Sequence, residues 1–100
     1  MHYTYILKSL STTGAIYIGS TSDLKKRLNE HNTGLSIYTN KHKPWELESY
    51  FAFSEKKLAE DFETYLKSNS GKAFLLKRLI PRDLEQSRRL YKNGRSKRLS

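Results

Sequence analysis

Nothing in this chain is available for thiol chemistry: it contains no cysteine, which excludes disulfides, zinc knuckles and thiolate nucleophiles. Long apolar runs are missing too, and no stretch approaches the ~18 residues that cross a bilayer. The opening Met1-His2-Tyr3 lacks the basic-then-apolar pattern of a secretory signal. Together these absences point to a cytoplasmic protein with no membrane association. Hydrophobic residues are scarce at 36%, below the usual ~45–50%, so the core has to be small. Acidic residues are the last shortage: 10 against 19 lysines and arginines, a formal charge of +9. That imbalance points to a polyanionic partner, nucleic acid ahead of an anionic membrane.

What is present is aromatic. Seven tyrosines, four phenylalanines and one tryptophan in 100 residues suit a single small domain. Residues 2–9, HYTYILKS, alternate and are rich in aromatic and β-branched types, a strand pattern with Tyr3, Tyr5 and Leu7 on one face. LSTTG (10–14) reads as a hairpin connection and AIYIG (15–19) as the return strand, with Ala15, Tyr17 and Gly19 sharing a face. Pairing Lys8 with Gly14 sets Tyr5 opposite Tyr17, within reach of ring–ring contact. A first helix is expected from Asp23 to His31, capped by Thr21 or Ser22 and stopped by Asn32 and Gly34. Residues 35–44 read as a loop. WELESYFAF (45–53) is a third strand whose Trp45, Leu47, Phe51 and Phe53 fall on one buried face.

Ser54-Glu55 opens a second helix with an apolar stripe of Leu58, Ala59, Phe62, Tyr65 and Leu66. A third helix is expected over 71–80, ended by Pro81. The fold class is α+β: a small, mainly antiparallel three-stranded sheet flanked by three or more helices. Residues 1–81 form the domain. Residues 82–100 form a basic C-terminal helix and arm, with seven basic residues against two acidic ones, a net +5. There are no internal repeats and no separate linker.

The first helix is odd. Leu24 and Leu28 are its only large apolar side chains, and at about 100° per residue the positions beside them are Arg27 and His31. Two readings stand: both side chains snorkel past the core to water, or they form an oxyanion clamp, arginine's planar fork being suited to phosphate. Glu63 flanks the stripe of the second helix, while Glu60 and Asp61 lie further out as solvated charges. Glu63 either pairs with Arg27 or binds a divalent cation, since magnesium needs only one or two carboxylates plus phosphate oxygens. Tyr3, Tyr50 and Tyr91 read as aromatic core. Tyr5 and Tyr17 differ, because paired strands bring both hydroxyls to one place. A guanidinium nearby would lower a phenol's pKa from its usual value near 10. Lys41, His42 and Lys43 on the loop, with Arg88 and Arg89 in the arm, are candidate phosphate contacts that carry no sequence preference.

The stretches YTYILKS, IYIGSTSDLKKRLNEHNTG, KPWELESYFAF and AEDFETYLKSNSGKAFLLKRL resemble the GIY-YIG nuclease domain. More closely, they resemble the small stand-alone bacterial members related to the nuclease module of the excision-repair endonuclease. The resemblance covers residues 3 to about 80. It places Tyr5 and Tyr17 at the motif tyrosines, Gly19 at the motif glycine, Arg27 at the helix arginine, His31 at a frequent histidine and Glu63 at the metal-binding glutamate. The first motif departs from the pattern, reading Tyr3-Thr4-Tyr5 instead of glycine-isoleucine-tyrosine.

What the resemblance implies is a metal-dependent endonuclease acting on DNA, in branched, damaged or single-stranded forms, with little sequence preference. One Mg²⁺ or Mn²⁺ on Glu63 would polarise the scissile phosphate, and a water deprotonated by Tyr5 or Tyr17 would attack in line. Arg27 would counter the developing charge, and His31 would orient a tyrosine or relay its proton. The competing expectation is a module of the same fold that binds DNA or RNA with negligible catalysis.

Overall fold

The computed structural model describes residues 1–79. Strands β1 (His2–Ser9), β2 (Ile16–Thr21) and β3 (Trp45–Phe53) form one antiparallel sheet in the order β2-β1-β3. Helices α1 (Leu24–Asn32) and α2 (Ile37–Lys41) follow β2; α3 (Lys56–Leu66) and α4 (Asn69–Phe74) follow β3. A π-helical turn over Leu75–Leu79 extends α4. The α+β class holds, and none of these helices is long and apolar enough to cross a membrane. The boundary at residue 81 and the basic arm 82–100, with Arg88, Arg89 and Tyr91, lie outside the described residues.

Each face of the sheet carries its own core. On one side Ile6, Ile18, Leu66 and Leu75 are buried, with Phe51 and Phe62 against them; this is the α3 side. On the other, Tyr5, Leu7 and Trp45 are buried, with Tyr17, Leu24, Leu28 and Leu47; this is the α1 side. β1 serves both by plain alternation. β3 does so through a bulge: Ile6 pairs with Ser49 but Leu7 with Leu47, so Glu48 is the extra residue. A single insertion reverses the phase of every side chain beyond it. Trp45 and Leu47 therefore face α1, whereas Phe51 belongs to the α3 core, and the four apolar residues of this strand do not share the single face that alternation predicts.

Several local expectations shift. Tyr5 pairs with Gly19 and Leu7 with Tyr17, a register two residues from the one that set Tyr5 opposite Tyr17. The Ser9 hydroxyl accepts from the amides of Ser11 and Thr12, at 3.1 and 2.9 Å, and so holds open a longer loop. A shift of two keeps every side chain on its expected face. Asp23, not Thr21 or Ser22, caps α1: its carboxylate accepts from the Lys26 amide at 3.0 Å. Gly34 takes the left-handed φ of +94° just past the helix end.

Residues 35–44 are not all loop. Ser36 and Thr39 exchange side-chain and backbone bonds in a capping box that starts α2. Helix α4 begins at Asn69, two residues earlier than expected, because the Ser68 hydroxyl caps it. In α3 the stripe is narrower than its spacing suggested, with Ala59 and Leu66 buried but Leu58 and Tyr65 exposed. Tyr50 is 52% exposed and meets Tyr3 edge-on at 5.8 Å, so it lies outside both cores.

Candidate active site

Four of the five residues expected to do chemistry meet on the α1 side of β1 and β2. The Tyr5 ring crosses Gly19 so closely that a Cβ there would stand 2.6 Å from the Tyr5 hydroxyl. Only glycine leaves this space. His31, fully buried on α1, places Nε2 at 2.9 Å from that hydroxyl. The Tyr17 ring lies 4.5 Å from the His31 ring and 6.2 Å from that of Tyr5.

Arg27, one turn before His31, sits at the rim. Its Nε pairs with Glu30 Oε1 at 2.9 Å, which leaves the two terminal nitrogens of the fork unclaimed by that carboxylate. Of the two readings of the pair, His31 does not snorkel, whereas Arg27 does reach the surface.

Glu63 comes from the other layer. Its Oε1 accepts from the Ser20 hydroxyl at 2.9 Å and its Oε2 pairs with Lys67 Nζ at 2.7 Å. It makes no ion pair with Arg27. The two layers meet at the end of edge strand β2, in an open cleft of about 330 Å³ lined by His2, Ser20, Thr21, Ser22, Arg27 and Lys56 among others. Ser20 thus joins the carboxylate to the cleft that Arg27 lines, and the Glu63 charge is felt at the Tyr5 hydroxyl. Ser20 and Lys67 were missed in the sequence. Lys67 had a signal, its i+4 spacing from Glu63; Ser20 had only its position in the alternation of β2.

Burial, then the neighbouring Tyr17 phenol, pushes the Tyr5 hydroxyl up to about 12, with Arg27 opposing and Glu63 adding to the rise. The expectation that a guanidinium would lower this pKa is corrected: desolvation of a buried phenolate outweighs it. Partial burial alone would lower Arg27, but the Tyr5 hydroxyl and Glu30 outweigh that and raise it further. Burial and then the Arg27 charge hold His31 below its ordinary value, against Glu30. Neutral His31 leaves Nδ1 buried without a partner among the described residues. An unpaired lone pair is less costly than an unpaired N–H, which favours the proton on Nε2. Nε2–H then donates to the Tyr5 oxygen, and the phenolic proton is left to donate elsewhere.

A stability prediction follows from His31. Unfolded histidine takes up its proton near pH 6.5, while the buried ring resists it. Acidification from pH 7.5 toward 5 therefore favours the unfolded chain. The melting temperature should fall over this range, and fall less in His31→Asn. Equal slopes by differential scanning fluorimetry would refute the buried neutral ring.

The remaining candidates separate. Lys41 and Lys43 are exposed. His42 is half-buried, with Nδ1 at 3.0 Å from Thr12 Oγ1 and its ring 4.7 Å from Tyr38, so it also props an aromatic cluster. Among the described residues no three histidine or acidic side chains gather into a metal cage. One carboxylate beside hydroxyls fits magnesium or manganese, which keep waters and share phosphate oxygens; it does not fit zinc in a closed site.

A family model described as the GIY-YIG catalytic domain matches residues 1–77. A UPF0213 protein of Bacillus pumilus is 40% identical over 68 residues, covering 67% of each chain. The structure-specific endonuclease subunit SLX1 of Mycosarcoma maydis is 43% identical over 63 residues. That alignment takes in 59% of this chain but only 10% of the SLX1 protein. A solution NMR structure of a UPF0213 protein from Bacillus halodurans is 30% identical, covering 86% of this chain and 94% of that one with a TM-score of 0.48.

Proposed function

The chain belongs to the GIY-YIG catalytic domain family, and from that premise we propose a divalent-metal-dependent endonuclease that hydrolyses phosphodiester bonds in DNA, directed by structure or damage more than by sequence. The observation that carries this reading is the cleft at the end of β2. It is lined by Arg27 from one layer and by Ser20, which holds Glu63, from the other. A phosphate resting there would meet a guanidinium on one side and a carboxylate-held cation on the other. The name of the Mycosarcoma maydis relative, a structure-specific endonuclease subunit, supports an endonuclease directed by structure.

The roles divide by environment. Arg27 would grip a non-bridging phosphate oxygen through the terminal nitrogens that Glu30 does not hold and counter charge as it builds. Tyr5, with its hydroxyl near 12, stays protonated at neutral pH and serves as a donor, oriented by His31. The half-buried Tyr17 would then take the proton of the attacking water. Glu63 would hold one Mg²⁺ or Mn²⁺, which supplies Lewis-acid polarisation of the phosphate and stabilises the leaving oxygen. Lys67 would give up its half-exposed ion pair when Glu63 takes that cation.

The test is direct. The full chain is incubated with plasmid, single-stranded and branched DNA, with Mg²⁺, with Mn²⁺, and with excess EDTA. Cutting that needs a metal, stops in EDTA and favours branched or single-stranded forms is expected. Salt-sensitive binding with no cutting in either metal would overturn the enzyme and leave a nucleic-acid-binding module.

A further inference from the structure

Tyr38 is an exposed aromatic ring that has already lost its freedom. It is 42% exposed, yet its hydroxyl donates to the Ile16 carbonyl at 3.0 Å. Its ring is backed by His42 at 4.7 Å and Trp45 at 5.9 Å. Those supports are fixed in turn. The Trp45 indole donates to the Thr39 carbonyl at 2.9 Å, His42 is tied to Thr12, and the capping box of Ser36 and Thr39 anchors α2. A tyrosine held this way loses little further entropy when a flat ligand lies on it.

The surroundings identify the ligand. Leu35 and Ile37, three and one residues before it in the chain, are exposed apolar side chains, Ile37 at 89%, and the exposed Lys41 and Lys43 follow it by three and five residues. A flat apolar face next to cations suits a nucleobase on its phosphate backbone. A base inside a duplex is covered on both faces, so only an unpaired base fits. The geometry points to a stacking site on Tyr38 for an unpaired base of the substrate DNA strand, with Lys41 and Lys43 on its flanking phosphates. This rests on the nuclease reading and narrows its substrate. The Tyr38 ring lies 6.4 Å from that of Tyr17, on the same face as Arg27. The preferred DNA therefore carries a single-stranded segment, as a flap or gap, close to the cleaved phosphate.

Binding is measured in EDTA, by anisotropy and by 2-aminopurine emission, on a single-stranded oligonucleotide, the matching blunt duplex and a flap. Tyr38→Ala should weaken single-strand and flap binding about 5- to 150-fold and duplex binding less than about twofold. Tyr38→Leu keeps apolar bulk against Trp45 and His42 without the π-face, and should lose the 2-aminopurine quenching while melting near the parent. Tyr38→Phe should keep it. Lys41→Gln with Lys43→Gln should weaken every form and reduce the salt slope by about 1.4 on single strand and about 1.8 on duplex. Equal losses on single strand and duplex, or unchanged quenching in Tyr38→Leu, would overturn the site. Because no metal is present, a protein that binds as described but never cuts sinks the nuclease reading alone. One that cuts while ignoring Tyr38 sinks only the stacking site.

Discussion

Glu63→Gln is expected to lower the metal-dependent cutting rate at least about a thousandfold, ~4 kcal/mol of transition-state stabilisation. The substitution keeps the shape of the side chain, and the amide oxygen still accepts from Ser20, whose hydroxyl stands 2.9 Å away. What disappears is the negative charge that would hold a divalent ion. Stability should barely move, because the pair with Lys67 is half-exposed and such pairs contribute only a few tenths of a kcal/mol. The two effects therefore separate: an unchanged melt beside a lost rate assigns the carboxylate to chemistry. Apparent Mn²⁺ affinity, followed by electron paramagnetic resonance, should fall in parallel. A variant that cuts within tenfold of the parent would show that the ion is anchored elsewhere.

The second large effect is at Arg27. Arg27→Ala should cost about 10²–10³ in rate, the range for removing one preorganised donor from a developing anion. Arg27→Lys should recover little, because an ammonium lacks the planar fork that can keep Nε on Glu30 at 2.9 Å and still present terminal N–H groups to a phosphate. An independent readout comes from His31. The Arg27 charge is one cause of its lowered pKa, so a neutral residue at position 27 should let the imidazole titrate closer to its ordinary value, visible in the ring proton shifts. A normal rate in Arg27→Ala, or a His31 titration that does not move, would remove the guanidinium from the site.

How much of this could be read in advance depends on which contacts are local. The bounds of β1 and β3 follow from alternation in HYTYILKS and WELESYFAF. The placing of Arg27 and His31 on the inner side of α1 follows from helical spacing alone. The register of β1 on β2 was not legible, because it is set by one serine hydroxyl gathering two amides. Nor was the bulge at Glu48, which carries no glycine or proline to mark it. Without that bulge the sequence suggests a one-faced sheet, whereas the chain builds two cores.

The protonation of Tyr5 shows the same limit. A sequence shows that an arginine is near; it does not show that the phenol is 1% exposed, and burial wins. The link between Glu63 and the cleft was hidden for a related reason, since it runs through Ser20, 43 residues away in the chain.

The two-core sheet also decides when this machinery is armed. The phenol and imidazole ride with the core of Tyr5, Leu7 and Trp45, while the carboxylate rides with Leu66, Leu75 and α3. A local opening that lifts α3 off the sheet would carry Glu63, the proposed anchor of the cation, away and leave the other half standing. On the proposed reading, a nascent or partly melted copy would be disarmed by its own architecture, and only the finished fold would cut.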